Sequence, residues 1–164
     1  MKRRAWVAAA VGTALTAGRA GAQTAGGLVE WPPIQLLDGS MIAPASWQGV
    51  AAVVVFWATY CPFCKRHNAH VDKLHRASSG QPLRILTVAE DTSAQTVRQY
   101  MRANNYQFPV ALSDSVLRSR MTTRRIIPMT CVVDREGQLR QAIPGEMFED
   151  DVLGLAQAAL RSAR

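Results

Sequence analysis

Cysteine and clustered basic charge are both scarce in this chain. It contains three cysteines in 164 residues, and so small and odd a number excludes a scaffold held together by several disulfides. The hydrophobic fraction of 48% is enough for one packed core without such bridges, and the length suits one domain. After the N-terminal region only Arg124 and Arg125 are adjacent arginines, and aromatic residues do not alternate with them. The sequence therefore predicts no nucleic-acid partner.

A secretory signal peptide is predicted over residues 1–22. Basic residues at positions 2–4 precede an apolar stretch over residues 5–17, and Ala20-Gly21-Ala22 supplies a small-residue cleavage site. The apolar stretch is shorter than the ~20 residues of a membrane-spanning helix, and no later segment approaches that length. An uncleaved anchor is the alternative interpretation. Export also bears on the cysteines, because disulfides persist outside the cytoplasm.

The remainder is predicted to be a flexible lead-in over residues 23–33 and one α/β domain over residues 34–164. Short apolar runs rich in β-branched residues, too short for helices, predict buried strands. These runs lie at residues 51–57, 83–89 and 129–133. A hairpin is expected at residues 34–42, with Asp38-Gly39 in its turn. Helical patterns between the strands indicate a central mixed β-sheet flanked by helices.

Residues 56–67 read FWATYCPFCKRH and place two cysteines directly after a predicted strand. Cys61 and Cys64 would occupy the first turn of a helix, where residues three apart lie about 5–6 Å from each other. That separation suits a disulfide. A thiolate at a helix N-terminus is stabilised by the unpaired backbone N–H groups, and its pKa commonly falls to about 3.5–7.5. We expect Cys61, the outer cysteine, to be the nucleophile and Cys64 to resolve the mixed disulfide.

Other functions for the cysteine pair are less favoured. A purely structural disulfide would close almost no loop and would stabilise the fold little. The pattern Cys61, Cys64, His67 and His70 has metal-like spacing, but on a helix the four side chains spread over about 180°. Attached haem is excluded because Lys65 stands where histidine is needed. A catalytic dithiol is predicted, with no metal ion and no other cofactor.

The segments VVVFWATYCPFC, TVAED, FPVALSD and IPMTCVVDREGQL resemble the periplasmic TlpA/ResA/DsbE group of thioredoxin-like proteins. The resemblance runs from about residue 34 to the C-terminus. It implies a thioredoxin-like fold with a short N-terminal β-hairpin addition. It also implies a periplasmic thiol–disulfide oxidoreductase acting on protein disulfides. Many members are reductants that serve cytochrome c or copper-site maturation, and a membrane electron donor of the DsbD/CcdA type recharges them.

The same resemblance implies roles for further residues. Pro128 matches the family's cis-proline, and the backbone of Ile127 before it would pair with a substrate chain. Glu90 matches an acidic position that can relay a proton as Cys64 ionises.

Substrate contacts are expected from residues around the two cysteines. These are Pro62, Phe63 and Trp57.

Several positions depart from the family pattern. His67 stands where ResA-type relatives carry glutamate, so it is either a proton shuttle titrating near neutral pH or a half-buried histidine bonded to backbone. Tyr60 replaces a tryptophan, Ala69 a proline and Ile126 a glycine. Val55 falls where cytoplasmic thioredoxins bury an acidic residue, so the proton of Cys64 must be managed in another way.

The redox direction stays open at this point. A reductant is the main hypothesis, and a periplasmic oxidant or isomerase is the first alternative. A thiol peroxidase is less favoured, because the threonine of TYC has the wrong spacing and two thiols compete. A non-enzymatic copper chaperone would use the two thiolates and His67. Cys131, in the middle of a predicted strand, is interpreted as a core residue rather than a second redox thiol.

Overall fold

The computed structural model describes residues 27–161. The predicted signal peptide lies outside these residues, and its cleavage stays a prediction. No helix within the described range is both long and apolar enough to cross a membrane.

Strands and helices alternate along most of the chain. The strands are β1 (Ile34–Gln35), β2 (Met41–Ile42), β3 (Ala51–Trp57), β4 (Leu83–Ala89), β5 (Val110–Leu112), β6 (Met129–Val133) and β7 (Leu139–Pro144). The helices are α1 (Pro62–Ala77), α2 (Ala94–Asn104), α3 (Ser115–Met121) and α4 (Glu149–Leu160), with a short 3₁₀ helix at Pro44–Trp47. The predicted elements are therefore present.

Five strands form one mixed sheet in the order β5-β4-β3-β6-β7. Strands β3, β4 and β5 are parallel, whereas β6 is antiparallel to both β3 and β7. β1 and β2 form a separate hairpin, with Ile34 opposite Ile42. Gly39 in its turn has φ +91°, a conformation that glycine adopts without strain. The predicted mixed sheet and N-terminal hairpin are both confirmed.

The central strand β3 is completely buried and divides the core into two parts. Val53, Val55 and Trp57 face one cluster together with residues of α1 and α4. Val54 and Phe56 face the other cluster, with residues of α3 and the N-terminal hairpin. Burial on both faces explains why β3 is a continuous apolar run rather than an alternating one.

The described part of the expected flexible lead-in is packed against the domain, which corrects that expectation. Leu28 forms a β-bridge with Gln138, and the Gly27 carbonyl accepts a hydrogen bond of 3.0 Å from the N–H of Leu139. Val29 is buried. Trp31 stacks on Trp47 at a centroid distance of 3.8 Å. The aromatic stack and the backbone bonds hold residues 27–33 to the end of the sheet at which β7 begins.

Candidate active site

Cys61 and Cys64 form a disulfide at the N-terminus of α1, with their Cα atoms 5.2 Å apart. Cys61 is the N-cap residue, and its Sγ accepts a hydrogen bond of 3.2 Å from the Cys64 N–H. Cys61 is 8% exposed, whereas Cys64 is fully buried. The same N–H would stabilise a thiolate on Cys61 after reduction. This geometry fits Cys61 as the attacking thiol and Cys64 as the resolving thiol.

The loop that leads from β3 to the disulfide is held by a carboxylate that follows the neighbouring strand β4. The N–H and the hydroxyl of Thr59 donate to the two oxygens of Asp91, at 3.0 and 2.5 Å. Asp91 follows β4, and parallel strands end at the same edge of a sheet. The N-cap of the following helix α2 is Ser93, whose hydroxyl accepts a hydrogen bond from the Thr96 N–H.

A cis peptide bond lies beside the disulfide, between Ile127 and Pro128. The cis-proline expected from the resemblance is therefore present. Strand β6 begins directly afterwards and pairs with β3, so the Ile127 carbonyl oxygen lies 4.0 Å from the Sγ of Cys61. The Pro128 carbonyl accepts a hydrogen bond of 2.8 Å from the Gly145 N–H. These contacts leave the backbone of Ile127 next to the more exposed sulfur.

His67 is fully buried one turn after Cys64. Its Nδ1 accepts a 3.3 Å hydrogen bond from the Met147 N–H, and its Nε2 lies 3.0 Å from the Thr130 hydroxyl. A backbone N–H only donates, so Nδ1 carries no proton and Nε2 carries the single proton of a neutral ring. Burial, with a smaller effect of His70, lowers the pKa of His67 to about 4 against the opposing influence of Glu146.

These contacts correct the expectation that His67 titrates near neutral pH. A neutral histidine with both nitrogens bonded to the protein is poorly suited to shuttle protons. It is also not free to bind copper, the ligand role considered from the sequence. Within residues 27–161 no three histidine, cysteine or acidic side chains are grouped so as to hold a metal ion.

Glu90 follows β4 at the same edge of the sheet, but its carboxylate is engaged elsewhere. Its Oε1 accepts a 2.7 Å hydrogen bond from the guanidinium of Arg118 on α3. Its N–H donates to the Trp57 carbonyl at 2.7 Å. A proton-relay role for Glu90 stays a prediction, since the contact that the structure gives its side chain is an ion pair.

The expected substrate contacts differ in their exposure. Pro62 is exposed and Phe63 is 56% exposed, so both can meet a partner. Trp57 is fully buried and packs on Tyr100 and Phe108. Its side chain supports the site from within the core and does not reach a substrate in this structure, because β3 is buried on both faces.

Polar atoms without hydrogen-bond partners lie behind the active-site helix. They are both side-chain polar atoms of the fully buried Asn68, the indole Nε1 of Trp57 and the hydroxyl of Tyr100. Burial raises the pKa of Tyr100, while the nearby Asn68 acts in the opposite direction. The two groups are thus close, although they form no hydrogen bond of good geometry.

A known family matches most of the chain, including the site. A sequence profile described as the AhpC/TSA family matches residues 31–142, more than half of the chain. The protein belongs to the AhpC/TSA family. Among curated proteins of this kind, it is 26% identical over 116 residues to the thiol-disulfide oxidoreductase ResA of Halalkalibacterium halodurans. That match covers 71% of this chain and 66% of the relative.

A second curated relative is the sporulation thiol-disulfide oxidoreductase A of Bacillus subtilis. It is 21% identical over 108 residues, covering 64% of this chain and 66% of the relative. The chain thus spans slightly less than two thirds of the length of either relative.

Solved structures show the same fold. A thiol:disulfide interchange protein of the thioredoxin family from Chlorobium tepidum superposes with a TM-score of 0.75 at 21% identity, over 84% of this chain and 99% of that one. A secreted Mycobacterium tuberculosis disulfide oxidoreductase, described as homologous to E. coli DsbE, gives a TM-score of 0.68 at 20% identity. That match covers 79% of this chain and 96% of the other. This member of the AhpC/TSA family therefore has a thioredoxin-like fold.

Sequence reasoning did not identify Arg118, Asn68 or the bond between Thr59 and Asp91. The local sequence SVLRSRM predicts an ordinary basic helix, and Asn68 is one polar residue within a long helix. Of these, only Asn68 had a signal in the sequence. It follows His67 and lies four residues after Cys64, and residues four apart share a helix face.

Proposed function

We propose that the protein is an exported thiol–disulfide oxidoreductase that reduces disulfides in periplasmic proteins. The observation that carries this proposal is the Cys61–Cys64 disulfide at the N-terminus of α1, beside the cis Ile127–Pro128 bond. The relatives named thiol-disulfide oxidoreductases and the secreted structural neighbour support it. Cytochrome c or copper-site maturation is the proposed setting, and a membrane dithiol carrier of the DsbD/CcdA type is the proposed donor.

In the proposed cycle the reduced Cys61 thiolate attacks one sulfur of a substrate disulfide. That S–S bond breaks, the departing substrate sulfur takes up a proton, and a mixed disulfide joins Cys61 to the substrate. Cys64 then loses its proton and attacks the Cys61 sulfur, which releases the second substrate thiol. The substrate gains two electrons and the Cys61–Cys64 disulfide reforms, to be reduced again by the donor dithiol.

The reduction potential of the pair tests the direction of this cycle. We expect a value at or below about −230 mV, on the reducing side of the glutaredoxin range. Equilibration of the mature domain with glutathione or dithiothreitol buffers measures it, with Cys131→Ser as the control for the third thiol. A less negative value would contradict the reductant direction. A pair that forms no reversible disulfide would remove the exchange chemistry itself.

A further inference from the structure

Arg118 is a buried charged side chain that the exchange chemistry does not use. It lies on α3, and its side chain is 8% exposed. Arginine is almost never buried without partners. Here Nη1 donates to Glu90 at 2.7 Å, and Nη2 donates to the carbonyls of Arg124 and Ile126 at 2.7 and 3.2 Å. The guanidinium also lies over the ring of Phe56, with Cζ 4.9 Å from the centroid.

These partners come from segments that meet at the disulfide. Phe56 is near the end of β3, five residues before Cys61. Glu90 follows β4 and is bonded through its N–H to the Trp57 carbonyl. Arg124 and Ile126 belong to the loop that ends at Ile127 and Pro128. The guanidinium of Arg118 thus connects the ends of β3 and β4 to the loop that ends at Pro128, on the other side of the disulfide.

The two loop bonds hold the backbone directly before Ile127. The carbonyls of residues 124 and 126 both accept from Arg118. The next carbonyl, that of Ile127, lies 4.0 Å from the Cys61 Sγ. Arg118 therefore holds the residue that immediately precedes the backbone group beside the sulfur.

We propose that Arg118 is a positioning residue for polypeptide substrates, which holds residues 124–127 so that the backbone of Ile127 can pair with a substrate chain next to Cys61. This role rests on the proposed function, because only a polypeptide disulfide uses that backbone. A small disulfide reacts with the Cys61 thiolate without pairing. Two separate nitrogens of the planar fork reach the three oxygens, Nη1 the Glu90 carboxylate and Nη2 the two carbonyls, whereas lysine has only one nitrogen to place.

The test measures the rates at which the reduced Arg118→Lys variant reduces two different disulfides. This variant keeps the positive charge and loses the planar fork. We expect the rate of insulin reduction to fall about tenfold or more, because hydrogen bonds from a charged donor are lost. The rate with 5,5′-dithiobis(2-nitrobenzoate) should change less than about twofold, and the reduction potential of the pair should not shift. A parallel fall in both rates, or no fall in either, would overturn the proposal.

The matched control is Arg98→Lys. Arg98 also donates two bonds to a backbone carbonyl, that of Leu37, at 3.2 and 3.0 Å, but it is exposed and lies outside the loop at the disulfide. Its two rates should both match the wild type. If Arg118→Lys does not fold, the double variant Arg118→Met/Glu90→Met removes both charges together and leaves no unpaired buried ion. The same selective loss on insulin is then expected.

Wild-type protein that exchanges with neither disulfide would refute the proposed function, whereas a selective loss on insulin concerns the positioning role of Arg118.

Discussion

Two buried side chains that can carry a positive charge flank the disulfide, one on each face of the five-stranded sheet. His67 lies on the α1 face and is hydrogen-bonded to Thr130 of β6. Thr130 pairs with Val55 of β3, whose side chain faces the cluster on the α1 side. Arg118 lies on the α3 face, over Phe56. The histidine is neutral, with one partner at each nitrogen, whereas the arginine is charged and paired with Glu90.

The difference matches what the proposed exchange reaction would require of each face. The α1 face contains the two cysteines, whose charge must change during exchange, and a fixed cation beside Cys64 would favour its thiolate at every stage. The α3 face has to hold a backbone segment still, and charged hydrogen bonds do this more strongly than neutral ones. We infer that the buried positive charge is kept on the face that performs no chemistry.

The largest contrast between the faces is expected in cysteine reactivity. Cys131 on β6 is fully buried on the α3 face, and burial raises its pKa to about 12, although Arg118 acts in the opposite direction. At pH 8 its thiolate fraction is therefore about one in ten thousand. Iodoacetamide should label Cys61 in the reduced native protein and leave Cys131 unmodified until urea unfolds it. Peptide mass spectrometry reads both sites, and equal labelling in the native state would refute this assignment.

The neutral state of His67 predicts a pH-dependent stability. Its folded pKa of about 4 lies below the ordinary value of 6.5, so the unfolded chain binds a proton first as the pH falls. The free energy of unfolding should therefore decrease by about 3 kcal/mol between pH 7 and pH 4 on account of this residue. Urea unfolding over that range measures the decrease.

His67→Gln is the control for this decrease, because a glutamine can bond to the same two neighbours without titrating. The lowered pKa of His75, also caused mainly by burial, acts in the same direction and remains in the variant. Wild-type and variant profiles that run parallel from pH 7 to pH 4 would mean that His67 is not held neutral.

A smaller effect is expected at Asn68, the neighbour of His67 on the same helix. Both polar atoms of its buried side chain lack hydrogen-bond partners. Asn68→Leu keeps a similar volume and removes these groups, so the free energy of unfolding should rise by about 1 kcal/mol. Tyr100→Phe is the companion variant, since its hydroxyl is also without a partner. A loss of stability in Asn68→Leu would show that the amide is bonded in solution, for example to a buried water.

Local patterns predicted the site where its parts are close in sequence, and long-range packing decided the rest. A buried strand followed by two cysteines three residues apart was enough to place Cys61 at a helix N-terminus. The Ile127–Pro128 bond was expected only from a resemblance, because nothing local makes a proline cis. Arg118 could not be found, since its partners lie 28, six and eight residues away and arginine is normally exposed. A half-buried His67 bonded to backbone was one of two expectations, but its proton state depended on the N–H of Met147, 80 residues later.

The attachment of Leu28 beside the start of β7 also determines the end of the sheet at which the preceding chain joins the domain. Val133 and Leu139 pair at that end of the sheet, level with Ala52 at the start of β3, whereas Cys61 follows the other end of β3. The seven residues of β3 separate these two ends of the sheet by roughly 20 Å. A membrane tether or a fusion partner attached ahead of Gly27 therefore joins the domain at the end that is remote from the sulfur atoms. Under the proposed function, a bulky protein substrate can then approach Cys61 from the opposite direction.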